Sequence, residues 1–203
     1  MQIIAEKLSK KYSSGWIFKN FNKVFETNKA YGFAGPNGSG KSTMLQVLSG
    51  MIPPSQGKLM FAMDGNAIHE DQWYREVSFA APYAELYDYM KLHELLRHHL
   101  QFKTLYEDIS LNDLVEWVQV KDHSSKYIKS YSSGMKQRLK LALAICTKSN
   151  LLVLDEPQTN LDEWNAAWYI DLLHRYRHNR IVMIASNLPS DFLEVDEIIT
   201  LSA

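Results

Sequence analysis

Gly35-Pro36-Asn37-Gly38-Ser39-Gly40-Lys41-Ser42-Thr43 is the stretch that decides the fold. It fills every fixed position of the pattern G-x-x-x-x-G-K-[ST], which holds the phosphates of a nucleoside triphosphate. Glycines at 35, 38 and 40 let the backbone take positive φ and come close to phosphate. Successive N–H groups then face inward as an anion nest, at the start of a helix whose dipole favours negative charge. In that arrangement Lys41 reaches the β- and γ-phosphates, and the Ser42 hydroxyl is placed to ligate Mg²⁺. Pro36, Asn37, Ser39 and Thr43 complete the set of nucleotide-binding candidates in the loop.

Working outward, AYGFA at 30–34 predicts a short buried strand. Residues 43–49 predict a helix, with Gly50 as its stop and Pro53-Pro54 beyond. Strand, loop and helix is the order the motif needs. Much further along, Leu151-Leu152-Val153-Leu154 is a continuous apolar run, as expected of a strand buried on both faces. It ends in Asp155-Glu156-Pro157. A carboxylate at the carboxyl end of a central parallel strand faces the ligand crevice. Asp155 is therefore the candidate for the magnesium shell, through a water. Glu156 is the candidate that polarises a water in line with the γ-phosphate.

Between these elements lies Tyr131-Ser132-Ser133-Gly134-Met135-Lys136-Gln137-Arg138. The order phosphate loop, Ser-x-Gly-x-x-Gln-Arg, then apolar run with Asp-Glu-Pro resembles the ATP-binding subunit of ABC transporters, over nearly the whole chain. The resemblance implies an α/β fold: a P-loop NTPase core with a parallel central sheet, a β-rich N-terminal edge subdomain and a helical insert. It implies ATP and Mg²⁺ as ligands. It implies that Ser132, Ser133 and Gly134, at the start of a helix, face the γ-phosphate held by an opposite subunit. Leu161-Asp162 resembles the segment that lies across the dimer interface. Tyr12 resembles the aromatic that stacks on adenine, with Trp16 as the competing candidate. The usual signature is Leu-Ser-Gly-Gly-Gln; here it reads Tyr-Ser-Ser-Gly-Met.

Two further departures bear on rate. Where the family has a Gln at the end of the strand before its insert, the matching residue is Pro82, which offers no side-chain ligand. Where it has a His after the last core strand, this chain has Asn187. An amide still donates to a phosphate oxygen but carries no charge near neutral pH. ATP binding is expected to survive these changes, with Lys41, Glu156 and Asn187 as the catalytic candidates, and turnover is expected to be slow.

Composition bounds the rest. The chain has 203 residues, 46% of them hydrophobic, and a formal net charge of −1. A single domain over 1–203 is expected, with the helical insert at roughly 85–130. The charge gives no basic footprint for nucleic acid. No apolar run approaches the ~20 residues that span a bilayer, and residues 1–7 lack the plan of a signal peptide. The lone Cys146 falls on an apolar helical stripe with Leu139, Ala142 and Leu143, so packing is its expected role. Residues 1–26 and 57–63 predict the β-rich layer. Helices are expected at 92–100 and 111–120, and at 162–176 with Trp164, Ala167, Trp168 and Leu172 as its buried stripe. His98 and His99 are expected at the surface.

By resemblance, ATP is sandwiched between two such subunits, and separate transmembrane subunits dock near the start of the insert. The tyrosines and methionine of 83–90 serve that docking or fill the insert's own core. Such a chain is expected to be cytoplasmic, peripheral on the inner face of the membrane. The Gly-Met-Lys-Gln-Arg-Leu wording at 134–139 leans toward an exporter. The alternative is a regulatory module that dimerises with ATP and scarcely hydrolyses it.

Overall fold

The computed structural model describes residues 1–119 and 123–201. The chain forms two sheets. Strands β1 (Gln2–Tyr12), β2 (Gly15–Glu26), β4 (Gln56–Met63) and β5 (Asn66–Ile68) make an antiparallel sheet in the order β2-β1-β4-β5. Strands β3 (Ala30–Ala34), β6 (Val77–Ala80), β7 (Leu151–Asp155), β8 (Ile181–Ala185) and β9 (Glu197–Thr200) make a parallel sheet in the order β6-β7-β8-β3-β9.

The central strands are buried on both faces, which is why they read as unbroken apolar runs rather than alternating ones. Side chains alternate between two cores. Leu152, Leu154, Val182 and Ile184 face the helical core. Leu151, Val153, Ile181 and Met183 face the core shared with the antiparallel sheet and α1 (Lys41–Leu48). The helical core is built from α3 (Leu92–His99), α4 (Leu111–Trp117), α5 (Ser133–Cys146) and α6 (Glu163–Tyr176). A one-turn helix α2 (Trp73–Glu76) precedes β6 and stacks Trp73 on Phe61 at 4.3 Å. Cys146, Leu139, Ala142 and Leu143 are all buried on α5.

Four helical expectations need correction. The buried stripe of α6 is Asn165, Tyr169, Leu172 and Leu173, whereas Trp164 is 60% exposed and Ala167 is also exposed. Counting from aromatics put the face one step off. The helix expected at 111–120 ends at Trp117, and residue 120 lies outside the described residues. His99 is not a surface residue. It packs toward α5, its Nε2 is 2.8 Å from Thr147 Oγ1, and burial, with Lys103 beside it, depresses its pKa to about 4. The helix at 92–100 closes one residue earlier, at His99.

Register places the site. Phe33, Ala185 and Asp155 stand in one row across β3, β8 and β7. The phosphate loop leaves just beyond Phe33, Asn187 just beyond Ala185, and Glu156 just beyond Asp155. Ala80 pairs with Leu154, so the chain leaving β6 through Ala81-Pro82-Tyr83 emerges at the same edge.

Candidate nucleotide-binding site

The phosphate loop joins β3 to α1, and its glycines do specific work. Gly40, the α1 N-cap, has φ 91°, and a Cβ there would lie 2.3 Å from Ile17 Cγ2. A Cβ at Gly35 would lie 2.4 Å from the Leu201 carbonyl oxygen. No side chain caps α1, so its first N–H groups are available to a ligand anion.

Lys41 is buried and points back into the loop. Its Nζ donates to Gly35 O at 2.8 Å, Pro36 O at 3.2 Å and Asn187 Oδ1 at 2.8 Å. The Asn187 amide nitrogen in turn donates to Asn37 Oδ1. Asn187 therefore clasps the phosphate-loop lysine and the loop's outer turn together. Ser39, also buried, leaves its hydroxyl without a partner among the described residues.

Asp155 has the opposite condition. It is 1% exposed, and neither carboxylate oxygen has a hydrogen-bond partner among the described residues. Burial raises its pKa, while nearby Ser42, Tyr83 and Lys41 pull it down. These groups neighbour it without reaching good hydrogen-bond geometry. An orphaned buried carboxylate is costly unless a cation compensates it. A hydroxyl and a carboxylate are both hard oxygen donors, so Ser42 and Asp155 fit Mg²⁺, which keeps several of its waters.

Tyr83 was not singled out as a site residue from sequence. Its phenol sits beside Asp155 and Gln46, and burial first, then the Asp155 charge, raises its pKa. The only signal was its place directly after Pro82. Pro82 itself is exposed, and Lys140 Nζ holds its carbonyl at 3.1 Å and that of Ala81 at 2.9 Å.

Glu156 has φ 46°, an uncommon backbone for a non-glycine residue. Its N–H is held by Ala185 O at 2.8 Å, which fixes the turn out of β7. Ser186 Oγ lies 3.4 Å from its Oε2.

The remaining candidates lie around this centre. Ser132 is the N-cap of α5, accepting from Met135 N–H at 3.2 Å; Ser132 and Ser133 are exposed. A Cβ on Gly134 would sit 3.1 Å from Asn160 O, and Gln137 Nε2 donates to Pro157 O at 2.8 Å. The start of α5 is thus tied to the loop after Glu156, and none of its hydrogen bonds among the described residues runs to the phosphate loop. Asp162 caps α6, accepting from Asn165 N–H and Nδ2 at 2.8 Å each. Tyr12 and Trp16 are both exposed at the β1–β2 hairpin, whose Ile17 touches Gly40. Lys10 lies over the Tyr12 ring at 5.3 Å, and Lys19 over the Trp16 ring at 5.1 Å.

A phosphate loop on a parallel sheet, with a buried carboxylate at the end of a nearby strand, defines a P-loop nucleotide-binding cassette. The ABC transporter family model matches residues 18–159, and the chain belongs to that family as an ATP-binding protein. It is 30% identical over 193 residues to the uncharacterized ABC transporter ATP-binding protein YybJ of Bacillus subtilis (strain 168), covering 94% of this chain and 88% of that one. It spans only about half, 50% and 51%, of two further relatives from that organism, YcbN and YdbJ. The lantibiotic transport ATP-binding protein SrtF of Streptococcus pyogenes is 26% identical, over 92% of this chain and 80% of its own length. Among solved structures, the dimeric post-hydrolysis state of the cassette MJ0796, bound to ADP and Pi, superposes with a TM-score of 0.83 at 20% identity, covering 98% of this chain and 94% of that one. That likeness concerns the fold.

Proposed function

We propose that this chain is the ATP-hydrolysing motor subunit of an ABC transporter, pairing with a second ATPase subunit and driving separate transmembrane subunits. The observation that carries the reading is the convergence of Lys41, Asp155, Glu156 and Asn187 at one edge of the parallel sheet. Lys41 and the loop N–H groups bind the β- and γ-phosphates. Ser42 and Asp155, the latter through a water, would hold Mg²⁺, which neutralises phosphate charge when bound. Glu156 takes the proton of the attacking water at a carboxylate oxygen. Tyr12 stacks on adenine. Ser132, Ser133, Gly134 and Asp162 complete the site of the facing subunit, since each phosphate loop covers only one side of its ligand.

Asn187 offers a neutral amide where the family has an imidazole, and Pro82 offers no side-chain ligand; both support slow basal turnover. No helix of the described residues is long and apolar enough to cross a membrane. On this reading, association with the inner face of the membrane runs through the transmembrane partner. Tyr87 and Tyr89 are exposed, while Leu86 and Met90 pack on the helical core. That division supports the tyrosines as the docking face. The wording at 134–139 supports an exporter.

The test is light scattering with phosphate release. Wild type is expected to dimerise with Mg-ATP and release phosphate. Glu156→Gln is expected to keep the dimer longer and lower phosphate release by about 10²-fold or more, as loss of a general base does. Undiminished hydrolysis in Glu156→Gln would overturn the role of Glu156. A monomer with ATP bound at high protein concentration would overturn the homodimer.

A further inference from the structure

Behind Glu156 lies a second buried carboxyl group. Asp191, in the 3-10 turn Pro189–Phe192, is 1% exposed. Its Oδ1 accepts from Gln158 Nε2 at 2.8 Å, and its Oδ2 accepts from Ser186 Oγ at 2.5 Å. The same Ser186 oxygen accepts from Leu188 N–H at 3.0 Å and lies 3.4 Å from Glu156 Oε2. Asp191 and Glu156 therefore flank one serine hydroxyl, and that hydroxyl owns a single proton. The distances show where the proton goes: to Asp191.

We propose that Asp191 is a positioning residue for ATP hydrolysis: by drawing the Ser186 hydroxyl proton to itself, it leaves Glu156 Oε2 free to accept a proton from the attacking water. The inference rests on Glu156 acting as the base. It places no contact between Asp191 and the nucleotide.

The arrangement has a second state. A protonated Asp191 donates its own proton to Ser186 Oγ, whose other lone pair is taken by the Leu188 N–H. Ser186 then turns its proton to Glu156 and occupies the oxygen that would receive the water's proton. Ser186 and Asp191 are hydrogen-bonded in either state, so one proton on Asp191 decides whether Glu156 Oε2 is free or occupied. Burial, and after it the Glu156 charge, raises the Asp191 pKa to about 6, against the lowering effect of the Ser186 and Gln158 hydrogen bonds. The other titratable group facing it is the buried Tyr169 hydroxyl on α6, and no cation acts on it among the described residues. For a carboxyl group so raised, the proton is bound below about pH 6 and released above it. The free-base state of Glu156 is thus the one present at neutral pH.

Asp191→Asn tests this with little change of shape. Gln158 holds the amide oxygen, so the amide nitrogen donates to Ser186 and fixes the acid state. The expected result is a kcat lower by about tenfold with KM unchanged, the mark of an effect confined to the transition state. The acid limb of the kcat–pH profile near pH 6 is expected to vanish. In a Ser186→Ala background, Asp191→Asn is expected to add nothing, because the shared hydroxyl is gone. A carbon-13 carboxyl titration of Asp191 by NMR reads the same group without turnover. A midpoint near 6, falling in Glu156→Gln as the neighbouring charge is removed, is expected. Wild-type kcat and an unaltered acid limb in Asp191→Asn, an equal loss in the Ser186→Ala background, or an Asp191 midpoint in the ordinary carboxylate range would each overturn the proposal. Glu156→Gln separates the two readings. If it hydrolyses like wild type, the base assignment fails; if it is inactive while Asp191→Asn is normal, only the relay fails.

Discussion

Lys41, the first residue of α1, and Asp155, the last residue of β7, stand at the same edge of the parallel sheet, and both are buried: 6% and 1% exposed. Lys41 has three oxygen acceptors, two of them backbone carbonyls of its own loop. Asp155 has none among the described residues. The difference follows from what each ligand can replace. A triphosphate brings its own oxygens, so on the proposed reading the lysine would exchange one set of acceptors for another. A cation brings charge, and a carboxylate already saturated with N–H donors would have less left to offer it. Within the chain the site's cation is satisfied and its anion is open among the described residues.

The largest test of this contrast removes the satisfied member. Lys41→Ala is expected to weaken ATP binding on the order of 10²–10³-fold, since charge-assisted hydrogen bonds to two phosphates are lost. Titration with a fluorescent ATP analogue reads it. An unchanged affinity would mean that Lys41 never leaves its loop carbonyls for the phosphates.

Removing the open member has a different signature. Asp155→Asn is expected to reduce the Mg²⁺ enhancement of nucleotide binding by about 10–100-fold, the usual cost of losing a carboxylate outside the first shell. In the absence of metal, the same change relieves a buried uncompensated charge. A gain of about 1 kcal/mol is expected, seen as a rise of about 2–4 °C in Tm. Calorimetry with and without Mg-ATP checks both signs. A fall in Tm without metal would show that Asp155 is stabilised in a way the geometry does not reveal.

The smallest effect sharpens the contrast. Asn187→Ala takes one acceptor from Lys41 and releases Asn37. ATP association in stopped flow is expected to quicken by about 2–10-fold, the worth of one modest hydrogen bond. Slower association would mean that the clasp organises the loop for its ligand rather than holding it back.

The legibility of these features was uneven. Gly40 is legible because its motif is local: a left-handed backbone at a helix start favours glycine. The strand at Leu151–Asp155 could be read because burial on both faces removes alternation. The stripe of α6 was misread because Trp164 weighs heavily in an apolar count, yet it faces solvent. Adjacent histidines point to different faces of a helix and show no ligand pattern, which suggests the surface for both, whereas Thr147 gives the His99 ring a buried partner. Beyond its place after Pro82, Tyr83 has no local signal, and neither have Ser186 and Asp191, since the groups that give them a role are distant in sequence: Asp155 for Tyr83, Glu156 for Ser186 and Gln158 for Asp191.

The sequence by itself determined the nucleotide loop, the α/β class and the family, because glycine spacing and unbroken apolar strands are constraints written in consecutive residues. Only the tertiary structure decided which charges in the crevice are satisfied and which are open. It decided that Asn187 bridges Lys41 and Asn37, and that one serine hydroxyl lies between Glu156 and Asp191. The physical reason is range. Backbone conformation is set within a few residues, whereas the partners of a buried polar atom are set by sheet register, which aligns β3, β8 and β7 from chain segments more than a hundred residues apart in the case of Phe33 and Ala185.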